Sequence, residues 1–168
     1  MFDEELAPGA RNAVRVCLNI QPHENVVLIA DNACAEIAAA LRAAIDAVGA
    51  PCRQFNLEEE SSRPLVVLPS VIVNAMEEAQ VSIFAARVQI GELRSRMQMT
   101  DIVNRRRMRH AHMVNITRQI MLEGMRADFA LVDRISTKVI DRVRTARRIR
   151  ATTPAGSAAR SGCRKQSA

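Results

Sequence analysis

Tryptophan and tyrosine are absent from this 168-residue chain, and phenylalanine occurs only four times. Proteins that hold single-stranded nucleic acid stack bases on aromatic rings, so that platform is missing. Cysteine is sparse: Cys17, Cys34, Cys52 and Cys163 form no CxxC pair, which argues against a thiolate zinc module and a disulfide framework. They read as reduced thiols. No GxGxxG or GxxxxGK[ST] follows any apolar run, so the glycines that let a backbone cradle nucleotide phosphates are lacking. No apolar stretch approaches the roughly 20 residues of a membrane span. The opening MFDEELAPGA is acidic where a secretory leader is basic and then apolar. These absences predict a soluble, cytoplasmic protein with no membrane partner.

What is present begins with charge. The net charge is +6, but residues 142–168 hold eight cations and no acid, leaving the first 141 residues with 16 cations against all 18 acids. The body is slightly acidic and the end is basic. Lys138 and Lys165 are the only lysines, an arginine bias that GC-rich coding explains before any phosphate-binding partner does. A chain this long can bury roughly 70% of its unfolded surface, so it can build a core without staples.

Residues 9–20, GARNAVRVCLNI, place Ala13, Val16, Cys17 and Ile20 at helical spacing, and Pro22 breaks the pattern. VVLIA (Val26 to Ala30) is a short β-branched run suited to a strand covered on both faces. Asp31 ends it, Asn32 can cap an alanine-rich helix, and Gly49 stands where that helix should stop. PCRQFNL then closes a βαβ unit. Pro69 opens a second helix, VSIFAA is another buried strand, a polar helix spans Gly91 to Arg106, and MRHAHM is a fourth short strand. Two more helices follow, the first capped by Asn115 or Thr117. The alternation predicts an α/β fold, an open, mostly parallel sheet of four to five strands flanked by helices, in the three-layer arrangement of flavodoxin or Rossmann folds. No internal repeat or low-complexity tract precedes residue 155.

In such sheets ligands sit beyond the carboxyl ends of the strands, here Asp31-Asn32, Glu58 to Arg63, and Arg87. Asp31 and Glu58 could hold a ligand or metal, but cap and loop roles are the preferred reading. His110 and His112 lie two apart, which on a strand aims both imidazoles at one face. Flanking Arg105, Arg106, Arg107 and Arg109 argue against a cation there, and no HExxH accompanies the pair. The RRRMR run reads as a solvated helix end, Glu58 to Glu60 as a solvated loop, and His23 as a surface turn residue. No catalytic, cofactor-binding or metal-binding residue is assigned.

The order of the segments adds more. GARNAVRVCLNIQPHENVVLIAD, then VNAMEEAQVSIFAA, MRHAHMVNITRQIMLEGMRADF and RIRATTPAG together resemble the amino-terminal domain of the aminopeptidase T-type metallopeptidases, the thermophilic leucyl aminopeptidase family. The resemblance covers about residues 9–156, with His23 where the family's pGe.Vlli.D strand motif has glycine. It implies a two-domain enzyme removing amino-terminal residues from peptide substrates with two divalent metal ions, zinc, cobalt or magnesium, which polarise the scissile carbonyl and activate a bridging water. The metal-binding Glu, His and Asp of that family belong to its carboxy-terminal half and have no counterpart here. His110 and His112 inherit no role, and the chain by itself is expected to hold no cofactor.

After Thr152-Thr153-Pro154-Ala155-Gly156 the family continues Thr-Asp-Leu, whereas this chain reads SAARSGCRKQSA. Residues 1–156 are therefore read as the amino-terminal domain and residues 157–168 as a disordered, out-of-frame tail. Arg142 to Arg150 become the basic face and end of the last helix. The alternative is a small basic-tailed domain that binds nucleic acid or protein, with nucleic acid disfavoured by the missing aromatics. Uncovered apolar surface would also permit a homodimer.

Overall fold

The computed structural model describes residues 2–154 and 158–162. The chain divides into two compact units, Met1–Ala127 and Asp128–Ala168. Among the described residues no helix is long and apolar enough to cross a membrane.

The first unit is an α/β three-layer fold built on four parallel strands, β1 (Val26–Ala30), β2 (Cys52–Asn56), β3 (Val81–Ala85) and β4 (Arg109–His112), in the order β2-β1-β3-β4. β1 and β3 lie in the middle and are buried at every residue, which is why both read as unbroken apolar runs rather than alternating ones. Val26, Leu28 and Ala30 point into one core with Val81, Ile83 and Ala85, and Val27 and Ile29 point into the other with Phe84. The first core is roofed by α1 (Ala7–Arg11), α2 (Ala35–Asp46) and α6 (Arg118–Leu122), the second by α4 (Ser70–Glu78) and α5 (Leu93–Arg106). A short helix, α3 (Leu57–Glu60), follows β2.

Of the four inward positions its spacing predicts, the first helical segment buries Ala13 and Ile20 but not Val16 or Cys17. Gly9, Ala10, Ala13, Val14 and Leu18 are buried, while Val16 is 53% exposed and Cys17 is exposed. The cause is a wide π-turn over Asn12–Cys17, closed by a bond from the Leu18 N–H to the Ala13 carbonyl at 2.9 Å. One extra residue per turn moves the inward stripe from position 17 to position 18. The caps also differ in detail. Asp31, not Asn32, caps the turn leading into α2, while Thr117, one of the two expected residues, caps α6. Gly49, at φ +82°, ends the α2 region as expected.

Gly9 is a point of close approach: a Cβ there would stand 2.5 Å from the Met121 carbonyl oxygen and 3.1 Å from the Met125 Cβ. Gly9→Ala should force α1 off α6 and cost about 1–3 kcal/mol, as overpacking usually does. Urea unfolding of the variant checks it, and an unchanged midpoint would show the helices give way freely.

The second unit contains α7 (Phe129–Val143), capped by Asp128, and an antiparallel pair, β5 (Arg148–Thr152) and β6 (Ala158–Gly162). Along α7, Leu131, Val132, Ile135, Val139, Ile140 and Val143 are between 45% and 56% exposed. The helix stops at Val143, so Arg148 and Arg150 belong to a strand and not to the helix end. Residues 158–162, expected to be unstructured, pair with β5, because ladder bonds join backbones and need no apolar periodicity. The rest of the expected tail, residue 157 and residues 163–168, and Cys163 with it, lies outside the described residues.

Candidate functional site

β1 connects to β2 on one side, and the chain then crosses to β3 on the other. The carboxyl ends of β1 and β3 therefore form the switch point where open α/β sheets usually hold a ligand. Here that position is filled by a side chain. Arg63 reaches it from the loop after α3 and is 4% exposed. Its Nε and Nη2 donate to the two oxygens of Glu92 at 2.7 and 2.6 Å, and its Nη1 donates to Asp31 at 3.0 Å and Glu58 at 3.1 Å. Nη2 also donates to the Arg87 carbonyl, just past β3.

The carboxylates are committed in turn. Asp31, 2% exposed, also accepts from the Cys34 N–H at 2.9 Å and from the Arg87 N–H at 2.7 Å. Glu92, 3% exposed, accepts further from the N–H groups of Leu65 and Gln89, each at 3.1 Å. Burial pushes the Glu92 carboxyl up, but the Arg63 guanidinium and those two N–H groups outweigh it and bring it down to about 2. The same partners push Arg63 above its ordinary value, Glu92 foremost. A carboxylate held this low is a poor base at neutral pH. The cluster ties the 61–69 loop to the ends of β1 and β3. That loop is fixed again by the Ser95 hydroxyl donating to the Leu65 carbonyl and the Leu68 N–H donating to Gln98.

Of the candidates read from sequence, Asp31 and Glu58 do come together, but on Arg63. Glu58 is thus more than a solvated loop residue, whereas Glu59 and Glu60 are exposed. Arg63 and Glu92 carry the cluster and were missed. Arg63 closes the Glu58 to Arg63 strand end and Glu92 opens the expected polar helix, but nothing in SSRP or GELR marks either charge for burial. His23 is exposed in its turn. Arg105 and Arg106 pair with Glu77 at the exposed end of α5, and Arg109 pairs with Glu24.

A second cluster crosses β3 and β4, where Ser82 stands opposite His110 and Phe84 opposite His112. The Ser82 hydroxyl lies 2.8 Å from His110 Nδ1, and His110 Nε2 lies 3.0 Å from His112 Nδ1. Burial, and then the neighbouring His112, lowers His110 to about 4, and burial and Arg96 lower His112. Both rings are thus neutral at pH 7. The Ser–His contact has the spacing of an activated nucleophile, but Ser82 is fully buried and no substrate could reach it. Nor do Cys34 and Cys52 offer a nucleophile. Burial, followed by Asp31, pushes Cys34 up to about 12, and burial pushes Cys52 up to about 11.

No family model and no curated protein matches the chain. Among solved structures it is similar to the 2,5-dihydroxypyridine dioxygenase of Pseudomonas putida KT2440, with a TM-score of 0.64 at 9% identity over 97% of this chain and 48% of that one. At this identity the likeness is one of fold. The chain spans about half the length of that structure.

Proposed function

We propose that this chain is the amino-terminal, non-catalytic half of a two-domain metallo-aminopeptidase of the aminopeptidase T type, cytoplasmic, and inactive by itself. Support comes from the order of the resembling segments across residues 9–156 and from a parallel three-layer fold spanning about half of a longer enzyme chain. The observation that carries it is Arg63. By occupying the switch point it leaves Asp31, Glu58 and Glu92 with a guanidinium partner, not with substrate or metal.

Among the described residues no group of three His, Cys, Asp or Glu side chains is placed to hold a metal ion, and Asp31, Glu58 and Glu92 are taken by Arg63; the resemblance assigns the two divalent ions to the carboxy-terminal half. No step of the reaction is routed through this chain. What these residues supply is a rigid floor, the ends of β1 and β3 being locked to the 61–69 loop so that a partner half meets one fixed surface.

The homogeneous 168-residue chain, given cobalt, zinc or magnesium ions and a leucyl-anilide substrate, should release no aniline. Metal-dependent turnover would overturn the reading. Retention on DNA or RNA that falls steeply with salt, and is lost on deleting residues 157–168, would replace it with the binding-domain alternative.

A further inference from the structure

The strand spacing of His110 and His112 does more than place two rings on one face. His110 Nε2 and His112 Nδ1 point at each other across 3.0 Å. Two nitrogens that each bond one metal ion at about 2.0–2.1 Å, with 3.0 Å between them, subtend about 90° at the ion. That is the angle between adjacent ligands in square-planar or tetragonal coordination, and it is narrower than a tetrahedral site requires. We propose that His110 and His112 form a bidentate imidazole chelate for a divalent transition-metal ion that favours this geometry, Cu²⁺ or Ni²⁺ ahead of Zn²⁺.

Three features of the surroundings carry the chelate. Ser82 sits on His110 Nδ1 at 2.8 Å, so when its oxygen accepts the Nδ1 proton, the Nε2 lone pair is left for the metal, as a residue behind a histidine ligand commonly does. His112 needs only to carry its proton on Nε2, a change of tautomer with no net release of protons. Of the four arginines that argue against a cation in the bare sequence, three pair elsewhere, Arg105 and Arg106 with Glu77 and Arg109 with Glu24, and Arg107 is exposed at the end of α5. Among the groups facing the pair, Ser82 and Phe84 come from β3 and Arg96 from α5. Arg96 bears a positive charge and a buried Nε with no partner. That charge favours an anionic co-ligand, a carboxylate or halide, at the ion's open positions. His112 is exposed, so an ion can enter from solvent.

The test uses the full chain with its thiols alkylated, titrated calorimetrically with Ni²⁺ and Zn²⁺ at pH 7. One Ni²⁺ should bind per chain, more tightly than Zn²⁺. His112→Ala should weaken it at least about tenfold, and Ser82→Ala about 10–100-fold through loss of ring orientation. His23→Ala should change nothing. With Cu²⁺, electron paramagnetic resonance should show hyperfine coupling to two imidazole nitrogens, reduced to one in His112→Ala. The proposal fails if no Ni²⁺ binds at millimolar concentration, if His112→Ala binds as the native chain does, or if Zn²⁺ is preferred.

Discussion

Arg63→Ala is expected to lower the stability of the first unit by about 3–5 kcal/mol, the usual cost of removing one partner from a buried ion pair. The reason is what stays behind. Asp31 and Glu92 are 2% and 3% exposed, and without the guanidinium they are two buried carboxylates facing the same gap. Arg63→Lys should recover only part of the loss, since one ammonium cannot repeat the two-pronged contact with Glu92 and also reach Asp31. Urea midpoints of the native chain and both variants measure this, and a shift under about 1 kcal/mol for the alanine variant would show that the cluster is not needed to hold the loop.

The pH dependence gives the same prediction a sign. Glu92 titrates at about 2 in the folded chain and near about 4.3 when unfolded. A depressed folded value means the stabilisation is complete above the unfolded value and is lost as pH falls from about 4.3 towards 2. In Arg63→Ala the guanidinium is gone while burial, which raises the carboxyl, remains. The Leu65 and Gln89 N–H groups still lower it, so the Glu92 contribution should shrink and the variant should lose less stability over that pH range than the native chain does. Parallel acid titrations of the two would contradict the assignment.

Ile83→Ala should produce the other large effect, about 2–5 kcal/mol, with Ile83→Val costing about 0.5–1.5 kcal/mol. Ile83 is fully buried at the centre of β3, pointing into the core shared by Leu28 and the roof formed by α2. Strands line it on both sides, so a cavity there can collapse very little. A lowered urea midpoint at unchanged slope is the expected readout. Equal losses in the alanine and valine variants would mean that the Cδ1 methyl alone, not the total buried volume removed, sets the cost.

Much of this fold was legible in the sequence. VVLIA and VSIFA announce central strands because a strand buried on both faces has no reason to alternate. Gly49 and Pro69 mark helix boundaries through their own backbone preferences. The middle of the first helix was misread because a π-turn, which displaces Val16 and Cys17 from the inward stripe, is not encoded by any one residue type. The boundary between the two units also left no mark of composition, since the chain passes Ala127-Asp128 with no Gly, Pro or Ser cluster.

The sites divide along the same line. Asp31 and Glu58 could be singled out because they follow strands, and the histidine pair because its spacing of two puts both rings on one face. Arg63 could not, for its partners lie 32, 29 and 5 residues away. The sequence by itself determined the strands of the four-stranded sheet, their parallel arrangement and the charge split, since each depends on residues a few positions apart or on a sum over the chain. Tertiary structure alone decided that β1 and β3 lie side by side and that an arginine fills the crevice between their ends. It alone brought Ser82 behind His110 and turned two ring nitrogens towards each other. Those outcomes depend on packing between segments far apart in the chain, where burial and pairing set the energy of a charge more than its neighbours in sequence do.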